Sequence, residues 1–188
     1  MDIILTLCIV TGMTVAAFWD LKTQKIPNLL TFPMMLLGLG YHGIANGVNG
    51  ICFSAAGICI GICVFLIPYL LGGMGAGDAK LMGAAGALLG TKGVILAALL
   101  AIVFGGIYAM VLLMMHHDYI RSLLRRMGIM GKTFFLTRQL IPIPPAKDEK
   151  QPVLCYGVPI ALGTLFYWYL KISGSGFIQN ITGVHFRI

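Results

Sequence analysis

Charged residues are scarce in this sequence. They make up 10% of its 188 residues, against 59% hydrophobic ones, whereas a soluble domain carries about 25% charged residues. That share excludes a water-soluble globular domain, which has no way to cover so much apolar surface. Acids are scarcer still: Asp2, Asp20, Asp78, Asp118, Asp148 and Glu149 are all there are. The chain opens Met1-Asp2-Ile3 without Lys or Arg. Its first apolar run therefore lacks the basic region of a signal peptide and is expected to stay as a membrane helix, despite the small residues Val15-Ala16-Ala17. Cysteine is sparse as well, and no two of Cys8, Cys52, Cys59, Cys63 and Cys155 stand in C-x-x-C spacing, which argues against a zinc or redox motif. Cys52, Cys59 and Cys63 would share one helix face. With no histidine beside them they read as small apolar side chains packed in the bundle, not as metal ligands. No metal, cofactor or disulfide is expected.

Apolar runs fill the space that charge leaves. They cover residues 3–19, 29–44, 51–71, 79–89, 94–115 and 154–172. A bilayer-spanning helix takes ~20 mostly apolar residues, so the expected fold is all-α: a polytopic membrane bundle of about six transmembrane helices in a single domain over 1–188. The breaks carry turn chemistry. Ile26-Pro27-Asn28 follows the first run, a Gly/Asn stretch (45–50) the second, and a glycine-rich loop (72–78) the third. The 25 glycines sit largely inside apolar runs, where small residues let helix backbones approach. Gly57–Gly61 and Gly86–Gly90 have the small-x-x-x-small spacing of packing seams.

One long polar stretch interrupts this pattern, at about 116–153. Ile120, Leu123, Leu124 and Met127 alternate there with Arg121, Arg125 and Arg126, as in a basic amphipathic helix on an anionic lipid surface. Pro142, Pro144 and Pro145 then impose an extended connector. With the N-terminus outside, Lys22, Lys25, Lys80 and the basic residues of this loop all fall on the inner side, leaving Lys92, Lys171 and Arg187 outside. This is a positive-inside distribution. The net charge of +7 thus reports topology and membrane lipid contact, and no nucleic-acid partner is expected.

Among the acids, only Asp20 and Asp78 abut apolar runs, and this topology brings both to the inner side. Ionisable groups at membrane depth are costly and mark function by default. Two nearby carboxylates share one proton and divide their roles: the ionised one draws a proton from water, the protonated one polarises a peptide carbonyl. That is aspartic proteolysis, which needs no metal. The plainer alternative pairs Asp20 with Lys22 or Lys25 as an interfacial anchor and makes Asp78 a helix cap. A small proton- or cation-coupled transporter using the same two acids is another reading, and a non-catalytic assembly subunit a third. His116 and His117 point about 100° apart on a helix and cannot readily share a ligand. His42 and His185 fall on the outer side, and Asn180-Ile181-Thr182 is a short sequon match only.

The surroundings of Asp78 narrow the choice. Gly75-Ala76-Gly77-Asp78 is a G-x-G-D pattern, in which glycines permit close approach of another backbone. The stretch from Gly73 to Leu81, together with Asp20 followed by Ile26-Pro27-Asn28, resembles the type IV prepilin peptidase family. Tyr156-Gly157-Val158-Pro159-Ile160-Ala161-Leu162-Gly163 is similar to that family's closing motif. The resemblance runs along essentially the whole chain. The presenilin-like branch of G-x-G-D proteases shares the chemistry but not the Ile26-Pro27-Asn28 neighbourhood.

The resemblance implies that Asp20 and Asp78 are the catalytic pair and that Gly75 and Gly77 shape the loop that receives substrate. Lys80 belongs to the same pattern; it either stabilises charge near the pair or anchors at headgroups. The implied substrates are prepilins or pseudopilins, cut after a glycine that ends a short basic leader, at the cytoplasmic face of the inner membrane. Larger bifunctional members carry an additional domain with paired C-x-x-C motifs and also N-methylate the new terminus. This sequence has none of those motifs and resembles the minimal form associated with tight-adherence (Flp-type) pili, which implies a peptidase without methyl transfer.

Overall fold

A computed structural model describes residues 3–70, 73–115 and 155–173. The basic loop with its amphipathic and proline-rich parts, Asp118, Asp148, Glu149, His116, His117, His185 and the sequon lie outside the described residues. The chain divides into two compact units, Met1–Gly105 with Cys155–Ile188, and Gly106–Leu154; every contact discussed below lies within the first.

The described residues are helical, with no strand among them. The helices are α1 (Ile3–Thr23), α2 (Asn28–Leu70), α3 (Ala76–Met115) and α4 (Gly157–Ile172). The first three are long and apolar enough to cross a membrane. α1 closes where Gln24 takes a left-handed φ of 54° and its N–H donates to the Asp20 carbonyl at 2.8 Å. Pro27 bars its predecessor from continuing the helix, and its carbonyl accepts the Leu30 N–H at 3.0 Å as α2 begins.

Both long helices contain a glycine whose backbone is not helical: Gly47 (φ 58°, ψ −140°) in α2 and Gly90 (φ 71°, ψ −178°) in α3. Positive φ is a region that glycine enters without a Cβ penalty. These glycines coincide with the breaks expected at 45–50 and after 89. Contacts reveal what happens at each. A side chain on Gly50 would strike the His42 carbonyl, whereas eight residues of continuous helix rise about 12 Å. The chain therefore doubles back at Gly47. Residues 35 and 38 lie beside 83 and 87, whereas 57 and 61 lie beside 86 and 82. The two halves of α2 thus run past the start of α3 in opposite directions. After Gly90, α3 returns along α4, with Gly93 beside Tyr167, Gly163 against Ala101 and Gly105 facing Pro159.

The core is built on small residues. Every residue from Leu81 to Gly90 is buried, and Gly57 and Gly86 face one another so closely that either Cβ would meet the opposite carbonyl oxygen. The Ser54 hydroxyl crosses the same seam to donate to the Ala87 carbonyl at 2.8 Å. The seams expected at Gly57–Gly61 and Gly86–Gly90 are thus one interface between two helical segments. Gly57→Ala should destabilise the protein by about 1–3 kcal/mol through overpacking. Gly40→Ala, where nothing lies within 4 Å, should not. Thermal unfolding of the two variants in detergent measures the difference.

Two local expectations need correction. Cys52, Cys59 and Cys63 are exposed: they lie on the outward face of α2, where an apolar thiol suits a lipid environment, and do not pack in the bundle. α3 begins at Ala76, so the glycine-rich loop ends sooner than 78 and Asp78 falls within the first helical turn.

Candidate active site

Asp20 stands in the last turn of α1 and Asp78 in the first turn of α3. Both are buried, at 4% and 7% exposure, in a chain whose core is otherwise almost wholly apolar. Burying a carboxylate is costly unless hydrogen bonds compensate, and each has one. Gly157, the first residue of α4, donates its N–H to Asp20 Oδ2 at 2.8 Å. Gly75 donates its N–H to Asp78 Oδ2 at 3.0 Å, while the Asp78 N–H donates to the Gly75 carbonyl at 3.1 Å. Asp78 therefore caps its own helix in the manner of half a capping box. Both carboxylates meet N–H groups that a helix start leaves without an internal partner.

Each of these bonds uses Oδ2, so Oδ1 of each carboxylate remains for another group. Among the described residues, the one buried side-chain N or O atom without a hydrogen bond is Trp168 Nε1, so neither Oδ1 is sealed away. The two aspartates lie within coulombic reach of one another. The Cys155 thiol, buried two residues before Gly157, feels the charge of both. Lys22 and Lys25 are exposed while Asp20 is buried, which does not fit a surface anchor pair. Among the described residues no group of three or more His, Cys, Asp or Glu side chains is arranged to hold a metal ion.

The glycines of the G-x-G-D pattern separate into two roles. Gly75 is exposed, and among the described residues a Cβ there would touch little beyond Asp78 Oδ2, at 3.4 Å, so none of them closes the approach to Asp78 from this side. A Cβ on Gly77 would instead stand 3.1 Å from Ile26 Cβ and 3.4 Å from its nitrogen. The turn after α1 thus packs directly on the start of α3. Lys80 reaches the same turn: its Nζ donates to Asn28 Oδ1 at 2.9 Å and lies 5.7 Å from the Phe32 ring centroid. His42 is held elsewhere, with Nε2 3.2 Å from the Leu88 carbonyl oxygen and its ring edge-on to Tyr41 and Phe53.

Sequence reasoning missed Gly157 and Cys155 as neighbours of the carboxylates. The Tyr156-Gly157-Val158-Pro159 stretch was the available signal, but nothing local ties it to a residue 137 positions earlier. An ideal Cβ on Gly157 would lie 2.8 Å from Asp20 Oδ2 and 3.0 Å from its Cγ. Glycine is required here because a carboxylate occupies the space of a side chain.

The sequence profile of the type IV leader peptidase family matches residues 7–110, a span that includes Asp20 and Asp78. The chain is 34% identical over 98 residues to the prepilin leader peptidase/N-methyltransferase of Escherichia coli (strain K12). That alignment takes in 49% of this chain and 44% of the relative, so the chain spans less than half of that protein's length. No solved structure matches. With more than half of its length matched by the profile, the chain belongs to the type IV leader peptidase family.

Proposed function

We propose that this chain is a prepilin peptidase, an aspartic endopeptidase that removes the short basic leader of prepilins or pseudopilins after a glycine. The observation that carries the proposal is the pair of buried carboxylates, Asp20 and Asp78, from two helices within coulombic reach. One ionised carboxylate takes a proton from water as it attacks the scissile carbonyl. The other, protonated, donates to the carbonyl oxygen and stabilises the tetrahedral intermediate. The proton taken from water then passes to the leaving amine as the C–N bond breaks. The N–H groups of Gly157 and Gly75 hold Oδ2 of each carboxylate, directing Oδ1 to water and substrate. Extended substrate backbone approaches beside Gly75, where no side chain obstructs it.

The same reading places the protein in the inner membrane as a single peptidase domain with six transmembrane helices, its N-terminus outside and the aspartates at the cytoplasmic face. Doubling back at Gly47 and Gly90 supports six passes: the two halves of α2 are each near one bilayer thickness, while the first half of α3, residues 76–89, is shorter at about 21 Å. Both aspartates stand at helix ends, which supports peptidase action at the membrane surface over a transport site near the midplane between broken helices. The relative's printed name joins two activities. With no C-x-x-C pair in this sequence, only the peptidase activity is proposed here.

Incubating purified protein with a prepilin carrying a basic leader tests the proposal, with loss of the leader read by gel shift. EDTA should leave the rate unchanged within about twofold, because the described residues lack a metal-ligand cluster and the dyad generates its own nucleophile from water. Loss of cleavage in EDTA with recovery on adding zinc would overturn the mechanism.

A further inference from the structure

We infer that Lys80 is a positioning residue: it latches the turn that follows Asp20 onto the helix that carries Asp78. The inference rests on the peptidase reading for its consequence, but its contacts are independent of that reading. Lys80 follows Asp78 by two residues, so the two side chains project about 200° apart around α3. The ammonium group is therefore directed away from the carboxylate, and it is taken up by Asn28 Oδ1 at 2.9 Å with the Phe32 ring on its flank at 5.7 Å. A hydrogen bond from a charged donor is stronger than a neutral one, and the aromatic face adds a cation–π attraction.

The latch has a second point of attachment one turn earlier. Ile26 is buried at 8% exposure and sits over Gly77, where a Cβ would stand 3.1 Å from the Ile26 Cβ. Ile26 and Asn28 lie on opposite sides of Pro27, so both points grip one rigid turn. That turn follows Gln24, whose left-handed backbone ends α1 and whose N–H closes on the Asp20 carbonyl. The position of the turn thus governs the last turn of α1, where Asp20 stands. Through Asn28, Lys80 fixes the separation of the two carboxylates without touching either. Small displacements of reacting groups have large effects on rate, whereas substrate affinity does not depend on this contact.

Four variants test the latch. Lys80→Met keeps the apolar stem over Phe32 and removes the donor; Asn28→Leu removes the acceptor; the third combines the two. Each single change should lower kcat on a prepilin about tenfold with KM unchanged, and the double variant should fall no further, because both remove one interaction. Lys80→Arg, which keeps a cationic donor, should recover most of the rate. A raised KM with unaltered kcat in Lys80→Met, beside a silent Asn28→Leu, would make Lys80 a substrate contact and overturn the inference; so would losses that multiply.

A second measurement needs no catalysis. With the five native cysteines replaced by alanine, the Ile26→Cys/Gly77→Cys pair is close enough for oxidative cross-linking. Adding Lys80→Met should slow bond formation several-fold. An unchanged rate would overturn the latch even if the wild-type chain cleaved no prepilin, an outcome that by itself would count against the peptidase reading alone.

Discussion

Asp20→Asn and Asp78→Asn should each reduce prepilin cleavage by at least about a thousand-fold, the scale on which removing an essential acid or base acts. Neither should lower the amount of folded protein in the membrane. An asparagine side chain keeps a carbonyl oxygen that accepts the N–H of Gly157 or of Gly75, so the bonds that settle each carboxylate survive the change. What is lost is the ability to exchange a proton with water or with the substrate carbonyl. The double variant should be no worse than either single one, because the members of a catalytic unit fail together. Cleavage rates under single-turnover conditions, with protein levels matched by immunoblot, check this result. Retention of substantial activity in either variant would end the dyad account.

Gly157→Ala is expected to lower kcat about a hundredfold while leaving the chain folded. The new methyl would lie 2.8 Å from Asp20 Oδ2 and 2.9 Å from Asp20 Cβ, well inside van der Waals contact. Asp20 is buried, at 4% exposure, and its Oδ2 is held by the Gly157 N–H at 2.8 Å. Either its carboxylate rotates off the Gly157 N–H or α4 moves away from α1, and each displaces a reacting group by an amount that costs about 10²-fold. Overpacking adds about 1–3 kcal/mol of destabilisation. A thermal melt of the variant separates the two effects: if unfolding caused the loss, activity would return at lower temperature. Wild-type activity in Gly157→Ala would mean that Asp20 does not act from the position it holds here.

The parts of the fold that can be read from sequence are those set by local composition. Apolar run length and the missing charges announce membrane helices, and Gly-rich breaks announce Gly47 and Gly90, since positive φ is a local demand that glycine meets. Asp78 as a first-turn acid is equally local. The cap reading of that residue, posed as a rival to the catalytic one on sequence, is met by its Oδ2, and the cap does not stand against the catalytic role proposed, because it does not use Oδ1. Contacts between distant segments are a different matter. Nothing near Gly77 indicates that its missing Cβ serves Ile26, and nothing near Lys80 indicates Asn28, because each partner is supplied by folding. Cys52, Cys59 and Cys63 were misread for a related reason. Helical spacing puts the three on one face, yet whether that face meets protein or lipid depends on which helix packs beside it. The core stripe of this segment is instead Ser54, Gly57, Gly61 and Phe65.

The central claim is that Asp20 and Asp78 together cut a prepilin leader, and the most direct measurement of it is intact-mass spectrometry. Purified wild-type protein and the Asp20→Asn/Asp78→Asn double variant would each be incubated with one prepilin in the same detergent, with EDTA present. The account predicts a single new product from the wild type, its mass set by hydrolysis after the glycine that ends the leader, and intact substrate from the variant. The same product from the double variant, or an intact substrate from both, would contradict it.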